Sequence, residues 1–449
     1  MLAELLEPVL QLSKKILALR ESPTFAVVNA ANKRRKEGKE VTSFSVGEPA
    51  EPTPQYVRDG LMKLIGDDVQ WTKISKYSPV GGLPELKKAI VEKLEDENGL
   101  QYTDKQILVT NGGKQAIANA FAVTINPDDE VLISEPAWVS YPDMVKFHGG
   151  IPVGMRTNDD FKITKDTLQL TLAMHPSAKW LVLTSPSNPT SSVYSKDELA
   201  ELAQVILEEN TQRKKDKRPL LMVMSDDIYE HMVYNNALVN KPGDPAAIAH
   251  NIIMAEPKMK PYTLIINGVA KAFGMTGYRI GYAAGPEMLI EKMENYQGME
   301  TSGASAISQV AAAIALSRET RQARDAHFVK QREAYTKRRD LVADLINNAP
   351  NTTMSFKPMD GAFYAMIDVT ELANAVGGTG ELAKKMINQK GVALVSGDDF
   401  YIEPGKQNRK YLRLSFATSE ANLIKGIALM QELEREILPD GQQRVAARG

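Results

Sequence analysis

From about residue 104 onward, short apolar runs alternate with segments of helical periodicity. ILVT (107–110), EVLIS (130–134), WLVLTSP (180–186), LLMVMSD (220–226) and TLIING (263–268) are rich in aliphatic and β-branched residues. A Gly-Gly turn separates the first run from a helix that starts near Lys114. Strands alternating with helices predict an α/β fold with a mostly parallel central sheet and helices on both faces. Such sheets bind ligands at the carboxyl ends of their strands. Asn111, Ser185, Asp226 and Asn267, which end these runs, are therefore placed where chemistry is expected. After a long helical region at 305–347 the pattern changes. MSF (354–356), GAFYAMI (361–367) and YLRLSF (411–416) read as strands, with helices near 380–389 and 418–436, and together they predict a smaller α+β domain. The expected division is an N-terminal arm with part of the small domain at 1–55, a large domain at 56–330 and a C-terminal small domain at 331–449.

At the N-terminus, Leu2, Leu5, Leu6, Val9 and Leu12 fall near helical spacing. This predicts an amphipathic arm that packs on the body or on a partner subunit. Glu4 and Glu7 precede the lysines and no small-residue cleavage site follows, which argues against a targeting peptide and for a cytoplasmic protein. The terminal DGQQRVAARG is polar and expected to fray.

Composition narrows the chemistry by exclusion. A chain of 449 residues exceeds one small core. Its 43% hydrophobic and 24% charged residues are those of a globular enzyme. A formal net charge of −2 gives no field for nucleic acid or an anionic membrane. The basic run Arg213-Lys214-Lys215 reads as a solvated helix end. With no cysteine, disulfides, thiolate catalysis and cysteine-based zinc sites are excluded. The five histidines form no His-Glu-x-x-His pair, which argues against a catalytic metal. No apolar stretch approaches the ~18 residues of a membrane-spanning helix.

The segment NGVAKAFGMTGYRIGYAAGP (267–286) carries the most specific signal. Lys271 ends a buried strand, and Gly268 and Ala270 leave room beside it for a bulky adduct. A lysine with a lowered pKa forms an imine with an aldehyde. Arg279, farther along the same segment, can hold a phosphate dianion through two parallel hydrogen bonds. Taken alone, a lysine is usually a surface residue.

With this segment the chain resembles the class I pyridoxal-phosphate aminotransferases of fold type I, and within them the bacterial and plant branch of aspartate and prephenate aminotransferases. The resemblance runs from about residue 20 to 436. It implies pyridoxal 5′-phosphate bound to Lys271, which acts as the catalytic base and acid. In VTNGGKQAIANA (109–120), Gly112, Gly113 and Lys114 would offer backbone N–H groups to the cofactor phosphate. In EPAWVSYPDM (135–144), Trp138 would stack on the pyridine ring. In SPSNPTSSVYS (185–195), Asn188 would donate to the phenolic oxygen; Ser191 replaces the family's glycine, which bears on the loop geometry. In MSDDIYEHMVY (224–234), Asp226 would pair with the ring nitrogen and Tyr229 with the phenolic oxygen, while Asp227 stands where the family commonly has Glu. Arg279 would bind the phosphate.

For the substrate, the resemblance assigns Arg413 of RLSFATS (413–419) to the α-carboxylate and brings Gly47 of SVGEPAEPTP (45–54) close to it, beside Trp138 and Asn188. Ala50-Glu51 stands where the family usually has Asp-Phe, so the entrance is expected to differ. Lys114 and Thr24 would select a distal carboxylate, favouring aspartate, glutamate and 2-oxoglutarate. Tyr77 of KYSPVGGLPELKKAI (76–90) would reach the neighbouring subunit's phosphate, implying a homodimer with shared sites. Each motif has a plain alternative: a turn at Gly112-Gly113, a core Trp138, a helix-capping Asp226, a solvent-facing Lys114 or Arg413. Activity on prephenate or aromatic substrates, a β-lyase on the same fold, and a regulator without turnover compete with the dicarboxylic transaminase. A regulator should carry a DNA-binding appendage, and none is visible.

Overall fold

The computed structural model describes residues 12–17 and 22–439. Leu2, Leu5, Leu6 and Val9 of the expected arm and the terminal residues 440–449 lie outside the described residues; Leu12 lies within them and is exposed.

A seven-stranded sheet forms the centre. Its order is Ile107–Thr110, Gly281–Ala284, Thr263–Gly268, Met222–Asp226, Trp180–Thr184, Glu130–Glu135, Ile151–Arg156. Gly281–Ala284 is antiparallel to both neighbours and the other pairings are parallel. All five runs read from the pattern are strands here. Alternate residues face opposite layers, as a strand's period of two requires. Ile107, Val109, Leu132, Leu181, Val223 and Ile265 enter one core cluster. Leu108, Val131, Ile133, Val182, Met224 and Leu264 enter another. This is the signature of a sheet buried on both faces.

Two strands of this sheet lacked a signal in the pattern. Ile151–Arg156 contains Pro152 and lies at the sheet's edge, where proline's missing donor is tolerated. Gly281–Ala284 (GYAA) is short and has no β-branched residue; Gly281 packs against Gly113, which leaves no room for a side chain. The basic run also departs from expectation. Arg213 is fully buried and donates to the carbonyls of Ala178 (2.5 Å) and Pro219 (3.1 Å) and to Glu209 (2.6 Å). It closes the end of the helix Lys196–Lys215, whose start is fixed by the Ser195–Glu198 capping box.

A four-stranded antiparallel sheet, ordered Val395–Ser396, Tyr411–Ser415, Tyr364–Asp368, Ser355–Phe356, has its own core with the helices Thr370–Val376 and Glu420–Ile437. Thr42–Ser43 pairs in parallel with Val392–Ala393, and Phe44 enters this second core. The helix Arg321–Asn347 serves both cores: Phe328 packs in the first, and Tyr335, Val342 and Ile346 in the second. Among the described residues no helix is long and apolar enough to cross a membrane.

Candidate active site

A cavity of about 560 Å³ opens where the strands Trp180–Thr184 and Met222–Asp226 end. Every candidate site residue except Tyr77 lines it. Lys271 follows the strand Thr263–Gly268 and is half-buried in the site. Its Nζ donates to the Gly47 carbonyl at 2.5 Å and lies 5.9 Å from the Tyr229 ring centre. Burial pushes the Lys271 ammonium pKa down to about 8, aided by Arg279 and Arg413 and opposed by Glu48 and Asp226. The amine is thereby brought toward its nucleophilic, neutral form near physiological pH.

Asp226 is buried at its strand's end and accepts from the Tyr141 hydroxyl at 2.5 Å. Burial raises its pKa, while the Tyr141 bond and the charge of Lys271 act in the opposite direction. A carboxylate held so, at the cavity floor, is suited to a cationic or N–H partner. Arg413, buried in the strand Tyr411–Ser415, donates to Asn188 Oδ1 (2.9 Å) and to the Ser45 carbonyl (2.7 Å). Its guanidinium lies between the Tyr364 ring (4.6 Å) and the Phe400 ring (5.1 Å), and its Nε is buried without a partner among the described residues. Such stacking fixes the fork and leaves its donors directed.

One end of the cavity is built from close backbone approach. Gly112 has φ +79°, and a Cβ there would lie 2.5 Å from Arg279 Nη2. Gly113 opens the helix Gly113–Thr124, and Arg279 itself is left-handed (φ +56°), with Nη1 donating to the Thr276 carbonyl at 3.0 Å. Free N–H groups at a helix start beside a guanidinium suit an anion. Lys114 Nζ sits 4.9 Å from the Trp138 ring centre, its pKa lowered by burial and then by Arg279. Thr24 and Gly47 line the mouth. Tyr77 is fully exposed and lines a different, larger cavity of about 780 Å³.

Of the four run-ending polar residues, the structure brings only Asp226 to the cavity. Asn111 is exposed; the Ser185 hydroxyl accepts from the Tyr194 N–H (3.1 Å); Asn267 is buried and donates to Glu230 (2.6 Å). Tyr141 and Tyr364 were not singled out from the sequence. Tyr364 shares a 2.7 Å hydrogen bond with the Tyr229 hydroxyl, and both rings are buried. Both tyrosines stand in segments already quoted, EPAWVSYPDM and GAFYAMI, but their partners lie on distant segments that no local pattern reveals. Ser191, in the place of the family's glycine, keeps the left-handed conformation (φ +60°). Its hydroxyl donates to the Tyr364 carbonyl (2.8 Å) and accepts from the Tyr364 N–H (3.0 Å).

A lysine of lowered pKa, a buried carboxylate, a flat indole and an anion cradle thus face one cavity. Its donor set fits pyridoxal phosphate: the glycine cradle is closed to side chains yet open to an anion, and Arg413 has a buried donor to spare. Residues 39–428 match the family of class I and II aminotransferases, and the chain belongs to that family. It is a transaminase with the fold type I architecture. It is similar to the aspartate/prephenate aminotransferase of Cereibacter sphaeroides, 38% identical over 94% of this chain and 98% of that one. The aspartate/prephenate aminotransferase of Thermus thermophilus is 36% identical over 93% of this chain and 97% of its own length. Among solved structures, the Thermus thermophilus aspartate aminotransferase with maleate superimposes with a TM-score of 0.81 at 33% identity, covering 95% of this chain and 100% of that chain.

Proposed function

We propose that the chain binds pyridoxal 5′-phosphate on Lys271 and exchanges amino groups between aspartate or glutamate and 2-oxoglutarate or oxaloacetate, as a homodimer. The observation that carries this reading is the meeting of Lys271, Asp226, Arg279 and Arg413, from three separate segments, in one cavity. Bound there, the cofactor supplies an electron sink for negative charge at the substrate's Cα. Asp226 holds a proton on the ring nitrogen. Asn188 and Tyr229 hold the phenolic oxygen, Trp138 covers the ring, and Gly113, the Lys114 backbone and Arg279 hold the phosphate, beside the Gly112 turn, whose own N–H is given to the Thr110 carbonyl (2.8 Å). Arg413 binds the α-carboxylate in a bidentate pair, next to Asn188 and Gly47. The Lys271 amine takes the Cα proton. Lys114 and Thr24, which also line the cavity, receive the distal carboxylate. Tyr77, wholly exposed in a single chain, completes the partner subunit's phosphate site.

Purified protein tests this directly. Its visible cofactor absorption should be lost on adding aspartate or glutamate and restored by 2-oxoglutarate. Relatives named for prephenate place that oxo acid on the acceptor panel. Lys271→Ala should lack the lysine-bound absorption and all turnover; a normal spectrum in that variant sinks the assignment. Pyruvate release without any oxo acid would mark a β-lyase instead.

A further inference from the structure

The segment 45–53 touches both principal cations of the site. Its Ser45 carbonyl accepts from Arg413 (2.7 Å) and its Gly47 carbonyl from Lys271 (2.5 Å). Three residues on, Ala50-Glu51 stands where the resembling family usually has Asp-Phe. The Ala50 N–H donates to the Tyr335 hydroxyl (3.1 Å), and Arg338 Nη1 pairs with Glu51 Oε1 at 2.8 Å. Both members of that pair are largely shielded, Arg338 at 16% and Glu51 at 24% side-chain exposure. The Arg338 guanidinium also stacks on the Tyr335 ring at 5.2 Å. Farther along, Thr53 donates to the Gly274 carbonyl (3.2 Å), and a Cβ on Gly274 would lie 2.5 Å from the Glu51 carbonyl. Tyr335 and Arg338 stand on the helix Arg321–Asn347, whose His327 Nε2 lies 2.8 Å from the Ala272 carbonyl beside Lys271.

We propose that Glu51, Arg338 and Tyr335 form a latch that fixes this strap, and that they are positioning residues for substrate carboxylate binding. The inference rests on the transaminase reading above. Its physical reason is a change of load. When the Lys271 nitrogen is committed to the cofactor, its bond to Gly47 is given up, and the strap's place then depends on its other tethers. The Glu51–Arg338 pair and the Ala50–Tyr335 bond are the ones away from the reacting groups. A strap that drifts carries with it Ser45, which orients Arg413, and Gly47, which lines the substrate space. Misplacement of that kind weakens carboxylate binding more than it changes the chemical step.

Glu51→Ala and Tyr335→Phe in the holoenzyme provide the test, with steady-state kinetics on aspartate, maleate binding as a dicarboxylate probe, and hydrogen exchange at the Ala50 amide. Each variant should raise KM and the maleate Kd by about tenfold, equivalent to ~1.4 kcal/mol, with kcat within about twofold. The Ala50 amide should exchange faster. Glu51→Gln, which still offers Arg338 an acceptor, should recover most of the affinity. Unchanged KM, Kd and exchange in both variants, with only a lower melting temperature, would overturn the latch. Should the wild-type protein show no transamination, the exchange rate of the Ala50 amide still reports on the latch, so the two failures are told apart.

Discussion

Asp226 and Asp227 are neighbours with opposite tasks. Asp226 faces the cavity. Asp227 turns away, accepting from Ser225 Oγ (2.7 Å) and Asn251 Nδ2 (2.9 Å) in a buried site. Burial, and then the Glu230 charge, push the Asp227 carboxyl up to about 8. An unfolded carboxyl ionises near its ordinary value of 3.8, so between about pH 4 and pH 8 the folded chain holds the extra proton. Stability from this group is therefore full below that window and falls as pH rises through it. Asp227→Asn keeps both hydrogen bonds, with its amide toward Ser225, and removes the titration. Its stability relative to wild type should climb between about pH 4 and pH 8 and level off above, measured by denaturant unfolding across pH. A flat difference would show that Asp227 is ionised in the folded protein. Ser191 gives a second test. Ser191→Ala strands the buried N–H and carbonyl of Tyr364 and should cost about 1–3 kcal/mol in the same assay. At this scale the sequence was informative wherever chemistry dictates a residue type, as for Lys271, Asp226 and Arg413. It was silent on Tyr141 and Tyr364, whose roles arise only from contacts between distant segments.

At the scale of elements, the strand Ile107–Thr110, the Gly112 turn and the helix Gly113–Thr124 make the cradle proposed for the cofactor phosphate. The turn needs a residue tolerant of φ +79°, and Arg279 packs against it too closely for a Cβ. Gly112→Ala meets both obstacles. It should weaken cofactor binding by tenfold or more, on the order of 1.4 kcal/mol, in a fluorescence titration of the cofactor-free protein. Cofactor affinity equal to wild type would remove this turn from the phosphate site. Behind the site, Glu230 accepts from Lys93, from Asn98 (3.1 Å) and from Asn267 (2.6 Å). This ties the loop bearing Tyr229 to the end of the strand that precedes Lys271. Glu97, Glu230 and His231 bring ligand-type atoms together, but the Lys93 ammonium already stands among them, 3.5 Å from Glu97. The apolar runs revealed five strands because burial on both faces demands continuous hydrophobicity. Ile151–Arg156 and Gly281–Ala284 escaped because an edge position and close glycine packing relax that demand.

The whole molecule raises the matter of Tyr77. It stands fully exposed beside the helices Gln55–Ile65 and Asp68–Ile74, which also expose Met62, Ile65, Val69 and Trp71. An apolar surface of this kind on one chain is suited to burial against a second. If Tyr77 serves the partner subunit's phosphate site, two defective chains can repair each other. Lys271→Ala chains lack their own lysine but still lend Tyr77; Tyr77→Phe chains keep Lys271 but lend no hydroxyl. Each homodimer is impaired at both sites. A hybrid dimer has one site with both residues native and one with neither. Random exchange of equal amounts makes half the dimers hybrids, so about a quarter of all sites become native. Transaminase activity should therefore rise above the mean of the two separate variants after subunit exchange under mild denaturant, toward about a quarter of wild type. A monomer, or a dimer in which Tyr77 serves its own site, predicts no gain, because every Lys271-bearing site then lacks the hydroxyl. Size-exclusion profiles of the mixture separate these two outcomes, and a gain in the dimer peak alone assigns Tyr77 to the neighbouring site.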